Sequence, residues 1–366
     1  MRAPGRVNLI GEHTDYNLGY VMPAAIDLEI RIASVASGDR TVELTRLETG
    51  ERLGFSLDGL APGAPTGQWI DYPAGMAWSL GERGVAVRGL RGVVATTLPA
   101  GAGLSSSAAL ELASAWSLAV EVPPPLPPMD LARAAQRAEN VYVGVMCGLM
   151  DQFASSHGRA AAALLFDCRS LQHRSVALPP GHLLVVCDTS APHRLDASNA
   201  YNERRAQCEA GVELLRSRDV AVDSLRDVTV EMLEAARSEL DPVVFRRCLH
   251  VVHENQRVLE VDRALREGDL TAVGRAFAAS HESLRELFEV TSPELDAMVE
   301  IATSVPGVVG ARMTGAGFGG STVNLVREGA VEELRRVVGS EYPRRTGIQP
   351  AVHVVTAADG AGRVEG

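Results

Sequence analysis

Residues 99–115, PAGAGLSSSAALELASA, decide how this chain folds, because the hydrophobic period changes within them. An apolar, β-branched run at 93–97 precedes them and an alanine- and leucine-rich helical pattern follows, so the local order is strand, glycine loop, helix. Gly101 and Gly103 let the backbone approach a partner more closely than a side chain would allow. Ser105, Ser106 and Ser107 can cap a helix running from Ala108 onward. The unpaired amides of such a helix start, aligned with its dipole, attract an anion such as phosphate. Taken alone, the plainer reading of a capped helix after a turn stays ahead.

Composition narrows the phosphate chemistry that is open. All 35 residues counted as lysine or arginine are arginines. A Walker loop needs its GK pair, a protein-kinase fold needs a strand lysine beneath ATP, and a Schiff-base enzyme needs an amine. A nucleoside triphosphate would have to be held here by backbone amides, serine hydroxyls, arginine and a metal ion. A second glycine segment, residues 313–321 (MTGAGFGGS), sets Gly315, Gly317 and Gly320 at GxGxxG spacing. That fingerprint requires a helix next, whereas residues 321–327 (STVNLVR) alternate and are β-branched. A tight loop between two strands is expected, which disfavours a nicotinamide-dependent oxidoreductase. The loop at Gly101 fails the same fingerprint at Ser106.

The third segment, residues 6–20 (RVNLIGEHTDYNLGY), crowds Arg6, Glu12, His13 and Asp15 around glycines. Together they can donate to and accept from the hydroxyls of a polyol, with Val7, Leu9 and Ile10 anchoring the backbone beneath. A generic cluster of this kind is more often a solvated turn. Its company changes the balance.

In this order, GRVNLIGEHTDYN (residues 5–17), PAGAGLSSSA (99–108) and MTGAGFGG (313–320) resemble the three signature motifs of galactokinases, members of the GHMP kinase superfamily. The first motif is the sugar-kinase version, and the similarity runs from Arg2 to about Thr356. The resemblance implies an α+β, two-domain GHMP kinase fold: a ribosomal S5 domain 2-like N-terminal domain over residues 1–180, a ferredoxin-like C-terminal domain over 181–366, and the active site in the cleft between. It implies ATP as co-substrate, with Gly101, Ala102, Gly103, Leu104, Ser105, Ser106 and Ser107 as the phosphate loop. Trp69, with Tyr72, resembles a WxNYxxG segment beside the adenine, although Asp71 and Ala74 replace its usual asparagine and lysine. Ser107 and Glu139 would hold Mg²⁺, a cation that prefers hard oxygen ligands alongside phosphate and water. Asp151 falls where the family keeps its catalytic base, and Arg6 would stabilise the transition state beside it. Glu12, His13, Thr14, Asp15, Gly148 and Tyr201 would contact the sugar. The family normally has some tens of residues before its first motif, including an early strand. The given start is therefore expected to be late, or the sheet to have lost an edge strand.

Each implied role has a plainer alternative. Asp151 near a helix start is by itself a first-turn acid favoured by the dipole, and Glu139 a solvated helix face. Tyr201 shares a helical stripe with Arg205, Cys208, Val212 and Leu215, which by spacing alone is packing. Joint occurrence beside three ordered motifs outweighs these. Phosphoryl transfer then needs alignment and charge neutralisation, with a carboxylate taking the hydroxyl proton as attack proceeds. The expected reaction joins the anomeric hydroxyl of galactose to the γ-phosphate of ATP. Kinases of N-acetylgalactosamine or arabinose, and a non-catalytic sensor of galactose and ATP, are the alternatives; the intact serine run and Asp151 favour catalysis.

The wider bounds fit a soluble enzyme. The chain has 366 residues, 46% hydrophobic and 22% charged, as in ordinary globular proteins. A net charge of -11 argues against nucleic acid or an anionic membrane as partner, leaving the small molecules galactose and ATP. Five cysteines without CxxC spacing, and an N-terminus with no apolar signal core, point to a cytoplasmic protein, expected to be a monomer. Residues 250–254 (HVVHE) read as a helix surface rather than a metal site. Strands are expected at 20–36, 41–47, 88–97, 161–166, 172–176 and 183–187, and a helix at 69–81 with three more through 158. A helical region at 199–305, broken at Asp241 and Gly268 and reopened by Ser292 and Pro293, leads to a closing strand, glycine loop, strand, helix and strand. Prolines at 123–128 mark a loop.

Overall fold

The computed structural model describes residues 1–63, 65–191, 197–218 and 221–364. Its first half contains strands β1 (Arg2–Asn8), β2 (Tyr20–Val21), β3 (Pro23–Ala36), β4 (Thr41–Arg46) and β5 (Arg52–Ser56), then helix α1 (Asp71–Glu82) and β6 (Leu90–Thr96). Helices α2 (Ser106–Leu118), α3 (Pro128–Arg137) and α4 (Met150–His157) follow, then β7 (Ala162–Asp167) and β8 (His173–Ala177). A five-stranded sheet runs β1-β3-β6-β4-β5, with β4 and β6 parallel and the other neighbours antiparallel. Helix α2 is buried at every position over residues 108–115, where alanine, leucine and serine let neighbouring elements approach closely. It is the central helix of the largest core, and its first turn is fixed in space by that packing.

The second half opens with β9 (His182–Asp188) and continues through α5 (Ala197–Ser217), α6 (Val230–Ala236), α7 (Pro242–Glu267), α8 (Leu270–Ser283), α9 (Pro293–Thr303), β10 (Val308–Thr314), β11 (Ser321–Arg327), α10 (Val331–Thr346) and β12 (Ala351–Val355). Its antiparallel sheet runs β10-β11-β9-β12. Helix α7 begins on the Asp241 carboxylate, which accepts the amide of Val243 at 2.7 Å, with Pro242 at its first position. The chain then returns: the amide of Arg2 donates to Gly362 at 2.8 Å and that of Ala358 to Ala25 at 2.9 Å. The end of the second half thus packs on the first.

Several expectations are corrected here. Arg6 and Asn8 lie in a strand rather than a loop. That strand, β1, forms one edge of the five-stranded sheet. Strand β5 was not expected. The serine run does not cap α2 through its side chains: Ser105 sits at the N-cap in the left-handed region (φ 60°), and its hydroxyl is used elsewhere. Residues 250–254 are not simply surface, since His250 and Glu254 are wholly buried.

Candidate active site

Three glycine-bearing segments abut at the carboxyl-terminal end of β1. The amide of Arg6 donates to the carbonyl of Leu104 at 3.1 Å, joining β1 to the loop before α2. The hydroxyl of Ser321 donates to Ala102 at 2.8 Å, and the amide of Gly315 donates to Glu12 Oε1 at 3.1 Å. Gly315 has φ 86°, and a Cβ there would stand 3.0 Å from the carbonyl oxygen of Gly103. Only glycine suits both the backbone angle and the contact.

One cavity of about 210 Å³ opens beside this junction, lined by Arg6, Glu12, His13, Asp15, Glu139, Gly148, Asp151 and Tyr201 among others. Helix α4 brings Asp151 in from its first turn, and α5 brings Tyr201 across from the second half. The Arg6 guanidinium spans Asp151 with two bonds of 2.8 Å and donates its third nitrogen to Gly103 at 2.7 Å. The hydroxyl of Ser105 donates to Asp151 Oδ2 at 2.5 Å. The carboxylate is oriented from two sides, yet its side chain keeps 26% of its surface open.

Asp15 is almost buried, and burial with the charge of Asp151 pushes its carboxyl up to about 6. Its oxygen lies where a Cβ on Gly148 would be, at 1.8 Å, so that position accepts only glycine beside it. The peptide before Gly148 is held from behind: Gln136 and Asn140 donate to the carbonyl of Cys147 at 3.3 and 3.2 Å. His13, at φ 63°, pairs Nε2 with the carbonyl of Ala316 at 3.1 Å and Nδ1 with the Tyr16 hydroxyl at 2.9 Å. Its ring packs on Phe288, and burial pushes it down to about 3, so it is neutral. Thr14 is a correction. It is fully buried, its hydroxyl lies between the carbonyls of Gly11 and Tyr20, and it braces the loop instead of facing the cavity.

A second cavity, of about 460 Å³, is lined by Trp69, Tyr72, Ser106, Ser107 and apolar residues of β3 and β6. Trp69 is set by Glu51, which accepts its indole N–H at 2.8 Å, and by Arg46, 4.8 Å above the ring. The side chains of Ala102 and Leu104 point into the core, so this loop offers its ligand backbone amides and the hydroxyls of Ser106 and Ser107. The cavities adjoin where Ser107, in the second, bonds Glu139, in the first. Burial and then Asp151 push Glu139 up to about 7, and Gln152 donates to it at 2.7 Å. A buried acid so destabilised as an anion, next to a hydroxyl oxygen, is a donor set that fits a small divalent cation.

Comparison with known proteins agrees with this geometry. A galactokinase galactose-binding signature matches residues 1–34, and the GHMP kinase N-terminal and C-terminal domains match 71–159 and 263–344. The galactokinase of Roseiflexus sp. (strain RS-1) is 43% identical over 364 residues, spanning 100% of this chain and 92% of that protein. The chain belongs to the galactokinase family. The galactokinase of Lactococcus lactis, solved with galactose, superposes with a TM-score of 0.93 at 34% identity, covering 98% of this chain and 93% of that one. Mevalonate kinase from Methanococcus jannaschii, at 17% identity and TM-score 0.67, shares the fold. This family member is thus an ATP-dependent sugar kinase of two-domain GHMP architecture. Among the described residues no helix is long and apolar enough to cross a membrane.

Sequence reasoning missed the support beneath the family's first motif. Arg312, Glu254, His250 and Ser280 are all buried under the loop that carries Glu12. The signal was present but weak: His250 and Glu254 share a helix face at i, i+4, and Arg312 stands just before the glycine loop.

Proposed function

We propose that this protein transfers the γ-phosphoryl group of ATP to the anomeric hydroxyl of D-galactose, giving galactose 1-phosphate and ADP. The smaller cavity takes the sugar and the larger one takes the nucleotide, with adenine near Trp69 and phosphates over the amides of residues 101–107. One observation carries the reading: Asp151 lines the sugar cavity while Arg6 ties it to Gly103 of the phosphate loop. An acceptor hydroxyl and the terminal phosphate would therefore meet at Asp151.

Asp151 accepts the hydroxyl proton as the new O–P bond forms, a contribution of roughly 100-fold to 10,000-fold for general base catalysis. Arg6 and Ser105 hold that carboxylate in line and keep positive charge beside the transferring group. Ser107 and Glu139 would hold Mg²⁺, which when bound supplies positive charge to the phosphate oxygens. Asp15, Glu12, His13 and Tyr201 pair with the sugar hydroxyls. A site built from such pairs rejects an epimer because a turned hydroxyl leaves a buried partner unsatisfied.

A coupled ADP-release assay across galactose, its epimers, N-acetylgalactosamine and arabinose tests this, with Mg²⁺ withheld as a control. Galactose should give the highest kcat/KM, and release should stop without the cation. Preference for another sugar would overturn the substrate, and sugar-independent release would overturn the transfer.

A further inference from the structure

The support under Glu12 extends well beyond the sugar cavity. Arg312, wholly buried on β10, stands between two carboxylates: its Nη1 is 2.5 Å from Glu12 Oε2 and its Nη2 is 3.7 Å from Glu254 Oε1. Nη2 has no hydrogen-bond acceptor among the described residues. The guanidinium is fixed there, since Nε donates to Ser280 at 3.2 Å and Nη1 also donates to the carbonyls of Asn8 and Leu9. Glu254, on α7, has further holders. It accepts from the amide of Gly11 at 3.0 Å, the hydroxyl of Ser280 at 2.6 Å and Arg257 Nε at 2.7 Å.

The charged groups that face Glu12 are therefore Arg312 from β10 and Glu254 from α7, with Arg257 behind Glu254. The titratable neighbours are His250 on α7, bonded to the Glu12 carbonyl at 3.2 Å, His13 on the same loop, and His281 on α8, which accepts the amide of Met313. Burial keeps His13 and His250 neutral, at about 3 and about 4. The two acids differ. For Glu254, burial is outweighed by Arg257 and Arg312, and its carboxyl lies at about 2; for Glu12, burial prevails over Arg312, Glu254 adds to it, and the carboxyl rises to about 7.

We propose that Glu254 and Glu12 compete for the single guanidinium of Arg312, so that Glu254 and its partner Arg257, neither of which lines the sugar cavity, set how much negative charge Glu12 presents to a sugar hydroxyl. Both are positioning residues, and the inference rests on the reading of that cavity as the sugar site. Neutralising Glu254 leaves Arg312 to Glu12. Neutralising Arg257 leaves Glu254 leaning on Arg312, with the opposite effect on Glu12.

Carboxyl ¹³C NMR of the full chain without ligand reads the Glu12 titration midpoint directly, its signal assigned by its loss in Glu12→Gln. The midpoint should fall by about one pH unit in Glu254→Gln and rise by about one in Arg257→Met, the scale of a neighbouring charge. The acid limb of the galactose KM profile should move in the same two directions, with kcat at saturating sugar little changed. A midpoint that stays put in either variant, or two that move together, would overturn the competition. Midpoints that move while the KM profile stays fixed would overturn its link to the sugar. Should Glu254→Gln fail to fold, Arg257→Met decides alone. A wild-type protein that does not phosphorylate galactose would break the functional reading, and the midpoints would still decide the competition.

Discussion

The loop beside the larger cavity and the lining of the smaller cavity offer a ligand different kinds of contact. The loop proposed to hold the phosphates, beside the larger cavity, presents mainly backbone: Gly101 and Gly103 lie at φ 73° and 72° and Ser105 at φ 60°, while Ala102 and Leu104 send their side chains into the core. The sugar cavity is made of side chains drawn from β1 and its following loop, α4, α5 and the turn at Gly148, each set by a partner behind it. A phosphate presents oxygens of one kind and can be held by a local loop. A hexose presents hydroxyls in a fixed stereochemical order, and its recognition needs donors and acceptors placed from several directions.

The largest effect should come where the two halves meet. Asp151→Asn should lower kcat about 100-fold to 10,000-fold while galactose and ATP affinities, read by calorimetry, stay near wild type. Turnover close to wild type would remove Asp151 as the base and leave the cavities without their shared group.

A step smaller, Gly148→Ala should separate the halves cleanly. Its Cβ would stand 1.8 Å from an Asp15 oxygen, and overpacking of this kind costs about 1–3 kcal/mol, so galactose KM should rise about 10-fold to 100-fold with ATP KM unmoved. On the other side, Trp69→Ala should raise ATP KM about 10-fold, the scale of losing an aromatic face under a base, and leave galactose KM alone. If either variant moved both constants equally, the division of labour would fail.

Stability should respond to pH through the buried titratable groups of the fold. His13, His157 and His250 are held at about 3, 4 and 4, so between about pH 6.5 and 4 the unfolded chain binds more protons and their contribution is lost as pH falls. Glu12, Asp15 and Glu139 are held at about 7, 6 and 7, so their contribution is present at low pH and is lost as pH rises from about 4.5 to 7. The two sets oppose one another between about pH 4.5 and 6.5. Below that window the carboxyls are protonated in both states, the histidines still charge on unfolding, and Glu254, held at about 2, adds its own loss. The melting temperature should be nearly flat from about pH 5 to 6.5 and fall steeply below about pH 4; a steady decline from pH 7 downward would contradict the opposed sets.

This contrast also explains what could be read from the sequence. The phosphate loop is local, and the strand, the glycines and the alanine-rich helix around residues 99–115 carry its whole logic in one stretch. Part of the proposed sugar site is equally local: Glu12, His13 and Asp15 sit together on the tight loop that follows β1, and Arg6 stands near the end of that strand. What escaped is whatever depends on distant pairing. Strand β1 is interrupted by Pro4 and Gly5, and its register shifts between Pro4 and Arg6, so its alternation is broken where it should be visible. Thr14 looks like its neighbours in sequence and is turned inward by two carbonyls. His250 and Glu254 are polar residues on a long helix, and only the loop that lands on them makes them interior.

The account's central claim is that both cavities open on one crevice, where the acceptor hydroxyl attacks the γ-phosphoryl group in a single in-line step. The stereochemical course at phosphorus tests it most directly, using ATP made chiral at the γ-position with oxygen isotopes and galactose as acceptor. Inversion in the galactose 1-phosphate is the predicted result; net retention would require an intermediate phosphorylated protein and contradict the claim.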